Sequence, residues 1–492
     1  MIKIYDMRKQ RGYAAVLLVV LIGVMGLSTV TLYNSGQLTS SKMRQQNAAD
    51  AAAYSVANII SRDLNFVAYT NRAMVANQAA IGQMVGMASW INYLEQMAIN
   101  LDTVAGWIPY VGVATEILKQ VMEAVATGVN YFAEYAVLGI DYVIAGLAAA
   151  QRGVHVALQI SAIEIYKAVA KKNDPDVKFV SALTAISLAK SYQSLNSKLH
   201  YTDEPERGSS AKARKDLERY DEFAEIVSNS RDQFTERRAW NVRAPLPIPL
   251  TRFTARKVGG SDFERVLVNG NEYGWDWSAM DTLGIDIEVY APNWRGRWRW
   301  RSVFNMPIGW GAAHALNEDK SGDDYDYFDT GERLYGAEKR CNDGRWRPIL
   351  DCRWGRGAWN NDAAASAAAT FDRSNLVQNI STLRNFYTIK ERGEDFVGPK
   401  VTVLLEKPLR STNDQTRLWG QVLEDNGKSA QPRFDVEADS NANTMYAFSK
   451  AETYFMRPVD SKASAFWRRD GRIEYANLYN PYWQPRLVDP GA

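Results

Sequence analysis

Residues 13–32 read YAAVLLVVLIGVMGLSTVTL, twenty residues without a charge, and residues 45–55 follow as QQNAADAAAYS. How these two stretches fold decides the rest. A helix over the first rises roughly 30 Å, about the hydrocarbon thickness of a bilayer. Lys3, Arg8, Lys9 and Arg11 precede it against a single Asp6. A basic flank on that side keeps the N-terminus cytoplasmic and sends the remainder across. A secretory signal peptide has a shorter apolar region and a small-residue cleavage site. The segment that follows here, YNSGQLTSSK, has no such site. The expectation is a cytoplasmic basic N-terminus at 1–12, a transmembrane helix at 13–32, and an exported body.

In the second stretch, polar residues recur every three or four positions: Asn47, Asp50, Tyr54, Asn58, Ser61, Asn65 and Tyr69. Ala48, Ala52, Val56, Ile59 and Ile60 lie between them as a stripe of mostly small residues. Small side chains let another helix approach closely. The spacing therefore predicts an amphipathic helix whose polar face, Asn47, Asp50, Tyr54, Tyr69, Asn71 and Arg72, meets a partner.

Helical character continues to about residue 240, giving an expected helical stalk or bundle over 33–240. Pro109 in GWIPYVG and the NDPD at 173–176 break it, with Asp174 or Asp176 available to cap the next helix. A charged helix is expected over roughly 213–240. The apolar run 135–150 carries Asp141 near its middle, where an acid costs about 2.5–3.5 kcal/mol on insertion scales. It reads as a buried helix or one lying on the membrane surface rather than a second span.

After residue 240 the texture changes: 13 of the 15 Trp lie from Trp240 onward. RVLVNG, GIDIEVYA, RGRWRWRSVF and KVTVLLEK look like strands bounded by turn residues. The fold class expected is α+β, with a β-rich periplasmic domain over 241–492. Period-two alternation puts Trp298 and Trp300 on one strand face, and Arg297, Arg299 and Arg301 on the other. Arg beside aromatic rings either holds the β domain together or offers a candidate binding face for glycan, surface polymer or a protein.

Net charge is +2, which lacks the concentrated basic excess of a nucleic-acid binder. Cys341 and Cys352 bracket a short loop and, in an exported domain, are expected to form a disulfide stabilising by about 2–3 kcal/mol. Two separate buried thiols are the alternative. No Cys/His spacing suits structural zinc. Gly427-Lys428-Ser429 resembles the end of a phosphate loop, but position 422 is Val where a glycine is required. His155, His200 and His314 sit in no recognisable local motif. The acidic run 319–332 fails the EF-hand pattern at Asp324 and Thr330, leaving a solvated loop or a looser calcium site.

RGYAAVLLVVLIGVMGL followed by QNAADAAAYSVA resembles the N-terminal signature of TadE/TadG-like proteins of the tight-adherence (Flp) pilus system. LNFVAYTNRAMVANQAAIGQ, AFSKAETYFMRP and EYANLYNPYWQPRL resemble the longer TadG-related members. The resemblance implies a membrane-anchored, envelope-exposed assembly component or minor pilin-like subunit without enzymatic activity or cofactor. Its partners would be other pilus or secretion-assembly proteins of the inner membrane and periplasm, and oligomerisation would fit. Two departures stand out. The D-x-S-x-S of a von Willebrand A metal site is absent from the sequence. A prepilin-type cut would fall between Gly12 and Tyr13, yet the fifth residue after it is Leu17 where classical type IV pilins carry Glu. That apolar residue argues against a bulk fibre subunit.

Overall fold

A computed structural model describes residues 11–106, 110–179, 181–203, 210–268, 272–315, 375–377, 383–390, 398–408, 444–459 and 467–489. The apolar and Ala-rich stretches form one helix, α1 (Arg11–Ala105), which no proline interrupts. It ends at Gly106, and Tyr110 takes a positive φ of 67° before α2 (Val111–Asn173) begins. The elements that follow are β1 (Lys178–Phe179), α3 (Ser181–Lys198), β2 (Leu199–Tyr201), α4 (Ala211–Asn229) and α5 (Gln233–Glu236). Then come β3 (Trp240–Pro245), β4 (Thr251–Val268), β5 (Glu272–Pro292), β6 (Trp298–Ala315), β7 (Asn375–Val377) and β8 (Tyr387–Ile389). The last strands are β9 (Lys400–Pro408), β10 (Thr444–Phe455) and β11 (Trp483–Val488). The chain is thus α+β, with long apolar helices first and strands after, as its texture predicts.

Two compact units form, and they do not divide at residue 240. The first comprises residues 1–66, 153–200 and 389–492; the second comprises 67–152 and 201–388. Each holds both helix and strand, so the helices are not a stalk separate from a β domain. The reason is physical: a helix stripe and a sheet face are each apolar on one side and must bury that side against something.

In the first unit, β1, β9, β10 and β11 form an antiparallel sheet in that order. Val401, Val403 and Leu405 alternate inward from β9. Ala48, Ala49, Ala52, Ala53, Val56 and Ala57 of α1 are fully buried. Lys407 is also buried, neutralised by Asp174 at 2.8 Å. Asp174, one of the two cap candidates, is therefore an ion-pair partner for the sheet, and the other, Asp176, lies 3.6 Å from the same ammonium. Ser187 and Ser191 of α3 donate to the Thr402 and Lys400 carbonyls at 2.8 Å.

In the second unit, β3, β4, β5 and β6 are antiparallel neighbours and β7 adds in parallel. The α1 residues from Val67 onward pack on this sheet through glycines. A Cβ on Gly82 would stand 2.5 Å from the Trp277 ring, and one on Gly311 2.5 Å from the Ser89 carbonyl oxygen. Glycine is what permits the close approach. Asn92 and Asn100 of α1 donate to the Ala312 and Ile308 carbonyls at 2.9 Å each. The charged helix expected over 213–240 is shorter. It is capped by Ser210, whose hydroxyl accepts from the Ala213 N–H at 3.1 Å, and it stops at Asn229.

Candidate functional site

The site begins where α1 is bare. From Tyr13 to Leu32 the large apolar side chains are exposed: Tyr13 82%, Leu17 67% and Leu32 72% among them. The most apolar 18-residue window of α1 has mean hydropathy 2.5, and none of it is buried. Two of the few polar side chains here satisfy themselves within the helix. Thr29 and Thr31 donate to the Met25 and Leu27 carbonyls four residues back, at 2.8 Å each. Those two hydroxyls then need no water, which suits an apolar medium.

Burial starts at Ser41, and from there α1 faces two ways. Amides along it reach strand backbones. Gln45 donates to the Leu405 and Met445 carbonyls at 3.1 and 2.9 Å. Asn65 exchanges hydrogen bonds with the Trp483 backbone at 2.9 and 3.0 Å. The outer face holds Asn47, Tyr54 (45% exposed), Tyr69 (62%) and Arg72. Asp50 is half-buried and accepts from Gln46 at 3.0 Å. Asn71 departs from the expected partner face: it is fully buried and donates to the Tyr387 carbonyl at 3.0 Å. Gln151 donates to Asn71 in turn at 2.6 Å. Asn71 is part of the second unit's interior.

Asp141, too, sits differently from the apolar run around it. It is buried and accepts from Arg384 at 2.8 Å. The acid that weighed against a second span thus lies on the inner side of α2. On the outer side Tyr131, Phe132, Tyr135 and Tyr142 are 60–76% exposed.

Trp298 and Trp300 start β6 and are 53% and 36% exposed. Tyr290 on β5 packs against both, with ring centroids at 5.5 and 5.3 Å. The Arg252 guanidinium lies 4.1 Å above Trp300. Arg297, Arg299 and Arg301 are exposed. The segment thus packs across strands while parts of both Trp rings stay exposed.

Sequence reasoning missed two buried polar clusters. In the first unit, His155 meets Asp63 at 2.6 Å, Gln159 at 2.7 Å and Asn196 at 3.1 Å. Burial works against a charge on His155, but the hydrogen bond to Asp63, that carboxylate's charge and the Asn196 contact outweigh it, so its pKa is raised. In the second unit, Asp281 accepts from Arg238 Nε at 3.0 Å with both oxygens, from Ser89 at 2.7 Å, and from Lys257. Burial lowers the Lys257 pKa, opposed by Asp281 and reinforced by Arg238. Tyr93, beneath Lys257, is pushed up to about 12 by burial and then by the Asp281 charge. Apart from Gln159, four residues from His155, these partners lie 24 to 192 residues apart in sequence, so no local motif announces them. Among the described residues no group of His, Cys, Asp and Glu could hold a metal ion. Cys341, Cys352 and the acidic run 319–332 lie outside the described residues.

Residues 12–58 match the family described as putative Flp pilus-assembly TadE/G-like. The match ends inside the Ala-rich stretch, so it covers the bare apolar segment and the first buried turns of α1. No curated protein and no solved structure matched the chain.

Proposed function

We propose that this chain is a membrane-anchored, envelope-exposed component of Flp-type pilus assembly, or a minor pilin-like subunit, acting through protein–protein contacts rather than catalysis. One observation carries the reading. Within a single helix, the segment that matches the pilus-assembly family passes from bare and apolar at 13–32 to covered from Ser41 onward. A surface so apolar is stable in a bilayer and unstable in water. The basic flank before it supports an N-terminus in the cytoplasm and a body in the periplasm, held by one span of the inner membrane. Beyond the span, Asn47 and Tyr54, and further along α1 Tyr69 and Arg72, are exposed members of the face proposed to meet a partner.

The test has two arms. Resistance to alkaline carbonate extraction, with an active C-terminal alkaline phosphatase fusion, is the result expected of the anchor. Release by carbonate, or a C-terminal reporter on the cytoplasmic side, refutes it. For the assembly role, Asn47→Lys, Tyr54→Glu and Arg72→Glu together are expected to cut surface filaments and co-purification of pilus components several-fold at unchanged protein level. Unchanged piliation sinks the partner face.

A further inference from the structure

The end of the second unit's sheet is built unlike the rest of the chain. The chain as a whole holds 58 basic and 56 acidic side chains among 492 residues. Residues 240–254 and 289–303 together hold six Arg (Arg243, Arg252, Arg295, Arg297, Arg299 and Arg301) and no Asp or Glu. At the chain's average acid content, thirty residues would carry about three. The strand register brings the two segments together. Pro245 pairs with Arg252, Thr251 with Val289, and Pro292 with Trp298. The Tyr290 N–H donates to the Leu250 carbonyl at 2.7 Å, which ties the β3–β4 loop to the β5–β6 hairpin.

This cationic end is also apolar. Trp294 is 84% exposed, Ile248 66%, Leu250 54% and Val303 67%. The hairpin turn presents Trp294 on a fixed backbone. Asn293 Oδ1 accepts from the Arg295 and Arg297 N–H groups at 2.9 Å, and Gly296 supplies the positive φ of 72°. Arg252 is occupied by Glu288 at 2.6 Å, and Arg295 stacks over Trp294 at 4.2 Å. Among the described residues no acid forms an ion pair with Arg243, Arg297, Arg299 or Arg301.

We propose that this sheet end, the β5–β6 hairpin with the β3–β4 loop, docks on the surface of an anionic lipid bilayer. Three properties select that occupant. The unneutralised arginines call for negative charge. Exposed Ile248, Leu250 and Trp294 gain by entering the boundary between headgroups and acyl chains, where indole rings concentrate; a soluble polyanion offers them nothing. The alternation along β6 puts Trp298 and Trp300 on the opposite face from Arg297, Arg299 and Arg301. A hairpin tip dipping edge-on into headgroups is contacted on both faces, whereas a glycan or a flat protein surface reads one. Glycan recognition also needs hydrogen-bonding side chains free beside the ring, and the Asn293 amide oxygen already holds the turn.

The inference does not depend on pilus assembly, and its failure would leave that reading standing. Purified full-length protein, carried in phosphatidylcholine nanodiscs, is mixed with vesicles of phosphatidylcholine alone or with about a third phosphatidylglycerol, and recruitment is read by flotation. Recruitment is expected only to the anionic vesicles at low salt, and falls when salt shortens the Debye length. Arg297→Gln, Arg299→Gln and Arg301→Gln together are expected to weaken it about 100-fold, roughly fivefold per arginine. Trp294→Ala with Ile248→Ala weakens it with the salt slope unchanged. All five side chains are exposed, so melting curves stay at wild type. Equal recruitment to both vesicle types, or wild-type recruitment by the triple variant, overturns the proposal. So does a surface that binds dextran sulfate but no vesicle, or a triple variant whose sole defect is loss of a co-purifying protein.

Discussion

Asp281→Asn tests the interior of the second unit. The carboxylate is wholly buried and serves two buried cations, Arg238 and Lys257. The amide keeps the volume and can still accept from Ser89, so the change removes charge and little else. Breaking a buried pair by neutralising one partner costs about 3–5 kcal/mol, because the remaining charge stays out of water without compensation. For a unit of this size that lowers the melting temperature by about 6–20 °C. The loss should depend on pH in a defined sense. Lys257 already has a lowered folded pKa, so the unfolded chain binds more protons and stability rises with pH up to the unfolded lysine value of about 10.4. Without Asp281, which holds that pKa up, the folded value falls further and the variant begins to recover at lower pH than the wild type. The gap between the two is therefore widest at low pH and narrows as pH rises. Adding Lys257→Met, which removes one stranded cation, restores more than half of the loss. The assay is tryptophan-fluorescence melting of the full-length protein in one detergent, scanned at one rate. A shift below about 2 °C, or a gap that widens with pH, would refute the electrostatic account.

Gly311→Ala sets a methyl 2.5 Å from the Ser89 carbonyl oxygen, backbone against backbone. It should cost about 1–3 kcal/mol or more, whereas Gly128→Ala, with nothing within 4 Å, should stabilise by about 0.5–1 kcal/mol; the same melts rank them, and equal effects would contradict the packing of α1 on β6. His155 gains its proton more readily folded than unfolded. Its contribution is therefore full below about pH 6.5 and lost as pH rises through the folded pKa. His155→Gln should accordingly destabilise at about pH 5.5 more than at about pH 8.5, and a difference independent of pH would show that the pair with Asp63 carries no charge.

Much of the fold was legible because its signals are local. A charge-free run bounded by basic residues, proline and Asn-Asp breaks, and period-two strands each announce themselves within ten or twenty residues. The strands expected at RVLVNG, GIDIEVYA, RWRWR and KVTVLLEK appear as β4, β5, β6 and β9. The division into units was not legible, because it depends on which sheet each stretch of helix covers. Composition placed a boundary at 240. The actual units recruit α1 up to Phe66 for one sheet and from Val67 for the other, and nothing in the helix sequence marks that change.

The same limit explains why the polar face of α1 was partly misassigned. In an Ala-rich helix both sides are small, so polar residues every three or four positions fix a period without fixing a direction. Direction is set by partners far away in sequence. Asn71 turns inward because the Tyr387 carbonyl, 316 residues on, accepts from it, and half-buried Asn65 is held by the Trp483 backbone, which both accepts and donates. A buried amide left without such partners costs about 1–3 kcal/mol, so each contact is a condition of the fold and not an ornament of it. These inward amides also give α1 a register on each sheet that an apolar stripe of alanines would not, since alanine stripes slide at little cost. The residues of the expected face that remain exposed are Asn47, Tyr54, Tyr69 and Arg72. That is the physical ground for assigning them, rather than Asn71, to a partner.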